Sequence, residues 1–156
     1  MPSLEEITYE AGRHALADQE MIVSGIRQRT GTLLAAHALV ASFLGAAAIH
    51  ARGVDALGWA ALIALVLGLC ASAVLLVPWP ITFAVDAPTL YAELFERATD
   101  DAEAGTLGWL AAAGYGYQRL REQNARKVRW MALLSGAVGL LMIAQTVSWL
   151  AALALE

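Results

Sequence analysis

Three long stretches of the chain are apolar on every side and hold no formally charged residue. Residues 31–49 read GTLLAAHALVASFLGAAAI, residues 57–77 read LGWAALIALVLGLCASAVLLV, and residues 131–155 read MALLSGAVGLLMIAQTVSWLAALAL. A helix rises about 1.5 Å per residue, so each run can cross a hydrocarbon core about 30 Å thick. A surface helix of a water-soluble protein keeps one polar face, and none of these runs has one. The pattern predicts transmembrane helices at 31–49, 57–77 and 131–155. Tryptophan placement supports it: Trp59 and Trp79 bracket the second run, and Trp130 and Trp149 bracket the third. A separation of ~20 residues is about 30 Å of helix, which places these indoles in the two interfacial zones where such rings gather.

The polar segments also read as helices. Residues 4–30 contain no proline and set Leu4, Ile7, Ala11, Ala15, Ile22 and Ile26 near one stripe at helical spacing, interrupted by Asp18 and Gln19. This helix runs straight into the first span, weakened only at Gly25 and Gly31. Pro78 and Pro80 stop the second span, and the apolar ITFAV that comes next is a short extended link. Pro88 suits the first turn of a helix over 88–98 with Leu90, Tyr91, Leu94 and Phe95 on its apolar side. Thr99, Asp100 and Asp101 break it. Asp100 and Glu103 have capping-box spacing, so a new helix starts there, covers 101–128 and continues without proline into the third span. Bends are expected near Gly105, Gly108, Gly114 or Gly116. The fold class is therefore an all-α integral membrane protein, a single membrane domain over 1–156. It has three transmembrane helices and cytoplasmic helical extensions, two of them continuous with spans. The 4–30 and 101–128 segments are each about 40 Å long as helices, able to pack side by side as a stalk buttressed by 88–98.

Charge sets the expected orientation. Charged residues make up 15 % of the chain and apolar ones 59 %, against about 25 % and 45–50 % in a typical soluble domain. Residues 1–30 and 78–130 together hold nine of the ten Lys and Arg, whereas the 50–56 loop holds only Arg52 and the C-terminus none. The positive-inside rule places the N-terminus and the middle segment in the cytoplasm, and the 50–56 loop and C-terminus outside, in a bacterial inner membrane. Arg27, Arg29, Arg126, Lys127 and Arg129 then serve with Trp59, Trp79, Trp130 and Trp149 as membrane-interface anchors. A cleaved signal peptide is the rival reading of the first run, through its AAAIHA stretch. It is disfavoured because the run comes after 30 polar residues with more acids than bases. A net charge of −4 with no dominant basic face argues against nucleic-acid binding.

No catalytic, cofactor-binding or metal-binding arrangement stands out. His14, His37 and His50 are far apart, and phosphate loops, GxGxxG turns, nucleophile elbows and cysteine clusters are all missing. Cys70 sits alone in an apolar run and reads as a small buried or lipid-facing side chain. A helix start that favours negative charge explains Asp100, Asp101 and Glu103. The Arg126–Lys127–Arg129 cluster reads as a juxtamembrane anchor, with an anionic ligand as the alternative. Three intramembrane polar residues remain as site candidates: His37, Gln145 and Thr146. A polar group in a span is costly and often functional. His37 is read either as lining a pore or bonding helices, or as a neutral histidine satisfied by a neighbouring helix. Small residues four apart (Ala41/Gly45, Ala64/Gly68/Ser72, Ser135/Gly139) would let spans approach closely.

Two stretches carry a resemblance. IRQRTGTLLAAHALVASFLG resembles the first span of the small transmembrane effectors of cyclic-nucleotide antiphage defence in bacteria, the Pycsar transmembrane effectors and the related SLATT family. LREQNARKVRWMALLSGAVGLL resembles the polar helix that leads back into the membrane there. The chain departs from that pattern where Arg27-Gln28-Arg29 replaces an Asp-Lys pair, and where Trp109 to Tyr117 is rich in Gly and Tyr. The resemblance implies a non-enzymatic effector that forms a homo-oligomer on a signal and impairs inner-membrane integrity. Its partners would be the lipid bilayer and either a cyclic nucleotide or a soluble protein. The alternative is a small membrane anchor or accessory subunit docking a soluble partner through its cytoplasmic helices. A small transporter or membrane enzyme fits poorly, because the spans lack charged groups.

Overall fold

The computed structural model describes residues 3–84 and 102–155, with the side chains of residues 52, 102–104, 106 and 107 excepted. Among the described residues four α-helices occur in order: α1 (Leu4–Val40), α2 (Ala46–Arg52), α3 (Ala56–Leu76) and α4 (Ala102–Ala154), with a π-helical turn over Ala41–Gly45 between the first two. No strand occurs among the described residues. Among the described residues three helical stretches, Leu4–Ala51, Ala56–Leu76 and Gly108–Ala154, are long and apolar enough to cross a membrane. The protein is an all-α membrane protein. The helix expected over 88–98 and the Asp100–Asp101 helix start lie outside the described residues.

Local chemistry explains the ends. Ser3 Oγ accepts from the Glu6 amide at 3.2 Å and Glu6 Oε2 accepts from the Ser3 amide at 2.9 Å, a reciprocal capping box that opens α1. Gly53, at φ 73°, ends α2 in a conformation that a side chain would strain. Two residues later Asp55 Oδ1 accepts from the Gly58 amide at 2.7 Å and opens α3, a cap worth about 1 kcal/mol. Pro78 and Pro80 end α3 as expected, and Trp79 Nε1 folds back to donate to the Val74 carbonyl at 2.9 Å. The π turn falls inside the first span, where Ser42 Oγ donates to the Ala38 carbonyl at 2.8 Å. Such a turn fits one extra residue into the helix and rotates the side chains beyond it.

The chain divides into two compact units. The first comprises Met1–Val23 and Pro80–Arg129. Here α1 and α4 meet at glycines. A methyl group on Gly114 would lie 2.8 Å from the Thr8 carbonyl oxygen, and one on Gly12 would lie 2.6 Å from that of Gly114. The backbones are thus in direct contact. Leu16 is buried on this seam, Gln19 Nε2 donates to the Arg121 carbonyl at 3.1 Å, and the Tyr9 and Tyr117 rings stand edge to face at 5.8 Å. The link after Pro80 is fastened to α4: Asn124 Nδ2 donates to the Thr82 carbonyl at 2.8 Å, and Lys127 Nζ to that of Pro80 at 2.6 Å.

The apolar stripe read from the sequence is not the buried face. Leu4, Ile7, Ala11 and Ile22 are exposed, Ala15 is half-buried and only Ile26 of that stripe is buried, together with Gly12, Leu16, Gln19, Val23 and Thr30. The buried positions alternate steps of four and three, the 3.5-residue repeat of a left-handed helix pair. Close glycine approach selects this seam, so Gln19, which interrupts the apolar stripe, lies on the true contact line.

The second unit comprises Ser24–Trp79 and Trp130–Glu156. Small and polar residues make up much of its interior, beside an apolar cluster around Trp149. Thr30 and His37 come from α1, Ala61, Ala64, Gly68 and Ser72 from α3, and Ser135 and Gln145 from α4, all buried. Many of its large apolar side chains point outward, among them Phe43, Val66, Leu133, Leu140 and Ile143, while Leu75, Met131 and Trp149 are buried. This arrangement suits lipid. Hydrocarbon outside gives apolar groups no reason to turn inward, so packing of small residues and internal hydrogen bonds hold the helices together. Every buried position of α4 from Asn124 onward keeps the heptad spacing: Asn124, Val128, Met131, Ser135, Val138, Gln145, Trp149 and Ala152.

Candidate intramembrane polar site

His37 sits where the three spans of the second unit meet, and its side chain is fully buried. Its Nδ1 faces Gln145 Oε1 at 2.5 Å. The same Gln145 amide donates through Nε2 to the backbone carbonyl of His37 at 3.2 Å. These two contacts fix the amide orientation, since a backbone carbonyl can only accept and the Gln145 nitrogen can only donate. Gln145 therefore presents an acceptor to Nδ1, and Nδ1 carries a hydrogen. On the other side of the ring, Nε2 lies 3.3 Å from the carbonyl oxygen of Val138, two turns earlier on α4.

Gly68 of α3 makes room for this ring. A methyl group there would lie 2.7 Å from both Cε1 and Nε2 of His37. The site is thus built from one glycine, one amide and one main-chain carbonyl around a single imidazole. Residues 30–49, 56–84 and 130–155 contain no Asp, Glu, Lys or Arg, so no formal charge from the spans can reach it. Ser72, one turn beyond Gly68, has a buried hydroxyl with no hydrogen-bond partner.

The other candidate residues do not join the site. Thr146 Oγ1 donates to the Met142 carbonyl of its own helix at 2.8 Å, a local bond that ties no two helices together. Trp149, expected at the membrane interface, is packed between the helices with Ala48, Ala61 and Ala152. Gly45 and Gly58 leave space for its ring, a methyl on either lying 3.2 or 3.5 Å from it. Trp59 and Trp130 are exposed and Trp79 is half-buried. Arg29, Arg126 and Arg129 are exposed, Lys127 is fastened to Pro80, and Arg27 is half-buried with its Nε lacking a partner.

Among the described residues no group of three or more His, Cys, Asp or Glu side chains could hold a metal ion. Cys70 is exposed. The parts of the site missed in the sequence are Gly68 as the seat of the ring and the Val138 carbonyl. Gly68 stands out only as part of a small-residue stripe, and a main-chain carbonyl has no sequence signal beyond its place seven residues before Gln145. Compared with known protein families, curated proteins and solved structures, the chain finds no match.

Proposed function

We propose that the chain is a non-enzymatic membrane effector of bacterial antiphage defence. It would rest as a closed bundle in the inner membrane and impair that membrane when a signal makes it oligomerise. The observation that carries this reading is the bundle's inside-out chemistry: His37, Gln145, Ser72, Thr30 and Ser135 are buried while the outer surface is apolar. A passive anchor needs no polar group in its spans, and each one is costly there. A bundle that opens to water or to further copies of itself has a use for them. The Lys and Arg distribution supports a cytoplasmic N-terminus and middle segment, with the C-terminus outside. The first unit would then meet the signal, a cyclic nucleotide or a soluble protein.

One observation favours the quieter alternative, an anchor that docks a soluble partner. Leu4, Ile7, Met21 and Ile22 on α1 are each more than half exposed. A set of exposed apolar side chains outside the spans is the kind of surface a protein partner covers. The two readings separate in cells. Controlled expression with and without a co-expressed nucleotide cyclase, monitored with a membrane-potential dye, should show depolarisation when the signal is present. Full potential at every expression level, with one stoichiometric partner co-purifying, would leave the anchor standing and the effector rejected.

A further inference from the structure

We infer that the exposed side of α1 in the first unit is a docking surface for a second copy of this chain, with Asp18 of one copy meeting Arg119 of the next. The inference deepens the proposed oligomerisation and rests on it only in that copies meet. The surface is the apolar stripe that the glycine seam leaves out. Leu4, Ile7, Met21 and Ile22 are each more than half exposed, and Asp18 lies on the same stripe, also exposed. Among the described residues the only ion pairs join Glu10 to Arg13 and to His14, both inside α1, so Asp18 has none. A carboxylate covered without a partner is costly. Whatever covers this stripe must therefore offer apolar contact together with a cation at the height of Asp18.

The chain carries that cation itself. Residues 4–23 hold five acids against one arginine, while residues 105–129 hold five Lys and Arg against one glutamate. Within one copy no ion pair joins these two stretches among the described residues. Gly12 lies beside Gly114 and Gln19 beside Arg121, so α1 and α4 run the same way, and an α1 residue is level with the α4 residue 102 positions further on. Asp18 is thus level with residue 120, next to Arg119. Arg121 meets the seam through its carbonyl. Arg119, two residues earlier and about 200° around the helix, is exposed. Tyr115, one turn before Arg119 and 70 % exposed, adds apolar surface on that side. Copies inserted the same way in one membrane stand at the same depth, so Asp18 of one is level with Arg119 of its neighbour. Each copy presents both halves, and the contact can repeat from copy to copy. An exposed ion pair adds little affinity. Its part is to set partner and register, while the apolar stripe supplies the contact.

The test uses the full chain in the membranes of expressing cells, with the one native thiol removed by Cys70→Ser. One tagged copy carries Met21→Cys and a second, with a different tag, carries Gln123→Cys; both positions are exposed and they are level with each other. Each copy then holds a single thiol, so every cross-link joins two copies. A short bifunctional thiol reagent should join the two tags, and should join like positions less. Asp18→Arg in the first copy should lower the yield about fivefold, and Arg119→Asp in the second should recover it. No link between the two tags would overturn the inference, as would a yield indifferent to Asp18→Arg or one that Arg119→Asp does not recover. So would a foreign protein captured at Met21→Cys in place of the second copy. Membrane potential in the same cells, with the cyclase co-expressed, keeps the two claims apart. Depolarisation without the link removes this interface and leaves the effector; the link without depolarisation does the reverse.

Discussion

The two units hold their helices together by opposite means. In the first, Gly12 and Gly114 bring main chains into contact, and buried Leu16 and Val23 flank the crossing on α1. The polar bonds there, Gln19 to the Arg121 carbonyl and Asn124 to that of Thr82, run from side chain to main chain. In the second, the centre of the contact is a bond between two side chains, His37 and Gln145. Water explains the difference on the reading that places the first unit outside the membrane. Outside a membrane, burial of a leucine stabilises by about 1.5–3 kcal/mol, so apolar contact suffices. Between spans that term vanishes, and a hydrogen bond worth about 0.6 kcal/mol, up to ~1.7, becomes a leading contribution alongside close packing. The same 3.5-residue spacing thus serves two kinds of contact.

One substitution, glycine to alanine, grades the comparison by what the added methyl group meets. The largest effect is expected at Gly114, and likewise at Gly12, where the obstacles are main-chain atoms at 2.8 and 2.6 Å. Neither obstacle can swing aside, so the helices must separate. Overpacking of this kind costs about 1–3 kcal/mol. Gly114→Ala should lower the thermal midpoint in detergent, measured by helical circular dichroism. An unchanged midpoint would mean that the main chains do not touch at this crossing.

A smaller and more specific effect is expected at Gly68. There the obstacle is the far edge of the His37 ring at 2.7 Å. A free side chain would rotate away, but this ring is held at Nδ1 by Gln145. Gly68→Ala should cost about 1 kcal/mol and move Nε2 away from the Val138 oxygen. The thermal midpoint should fall less than in Gly114→Ala, while the nitrogen-15 signal of Nε2 changes more. A variant that lost stability without any change at Nε2 would show the ring was not seated on Gly68.

Much of this was legible from residue order. The spans, their continuity with the polar helices, the proline stop after α3 and the polarity of His37 and Gln145 all derive from hydropathy and composition. The inward face did not. In residues 31–49, 57–77 and 131–155 apolar side chains occupy every side, so hydropathy has no period to reveal, and small and polar residues share the contact line with Leu75, Met131, Val138 and Trp149. On the polar half of α1 the opposite error arises: Leu4, Ile7 and Ile22 form the obvious stripe, yet Gly12 and Gln19 are on the seam. A search for buried-type residues seven apart would have found it, since Leu16, Val23, Thr30 and His37 are all buried, as are Asn124, Met131, Val138, Gln145 and Ala152. Trp149 was read as a belt residue because a tryptophan near a span end fits an interfacial belt by sequence alone, and its burial between helices was not foreseen. Only the three-dimensional position of Gly45 and Gly58 shows that its ring has a seat inside.

The smallest effect is expected at Gly136, where the sign should reverse. Nothing lies within 4 Å of a methyl group added there, and Gly53 is the only described residue with positive φ. Alanine therefore fits both the space and the helical conformation. Replacing a helical glycine under those conditions stabilises by about 0.5–1 kcal/mol through the entropy of the unfolded chain. Gly136→Ala should leave the thermal midpoint of the isolated chain unchanged or slightly raised, in contrast to Gly114→Ala and Gly68→Ala. The same variant also bears on assembly, because Gly136 is on the outward face of α4. A chain that keeps its stability in detergent but loses higher-order species in bilayer cross-linking would have met an obstacle that its own atoms do not supply. That obstacle would be another copy packed against α4 at Gly136, and the small residues on this face would then contribute to assembly rather than to the single bundle.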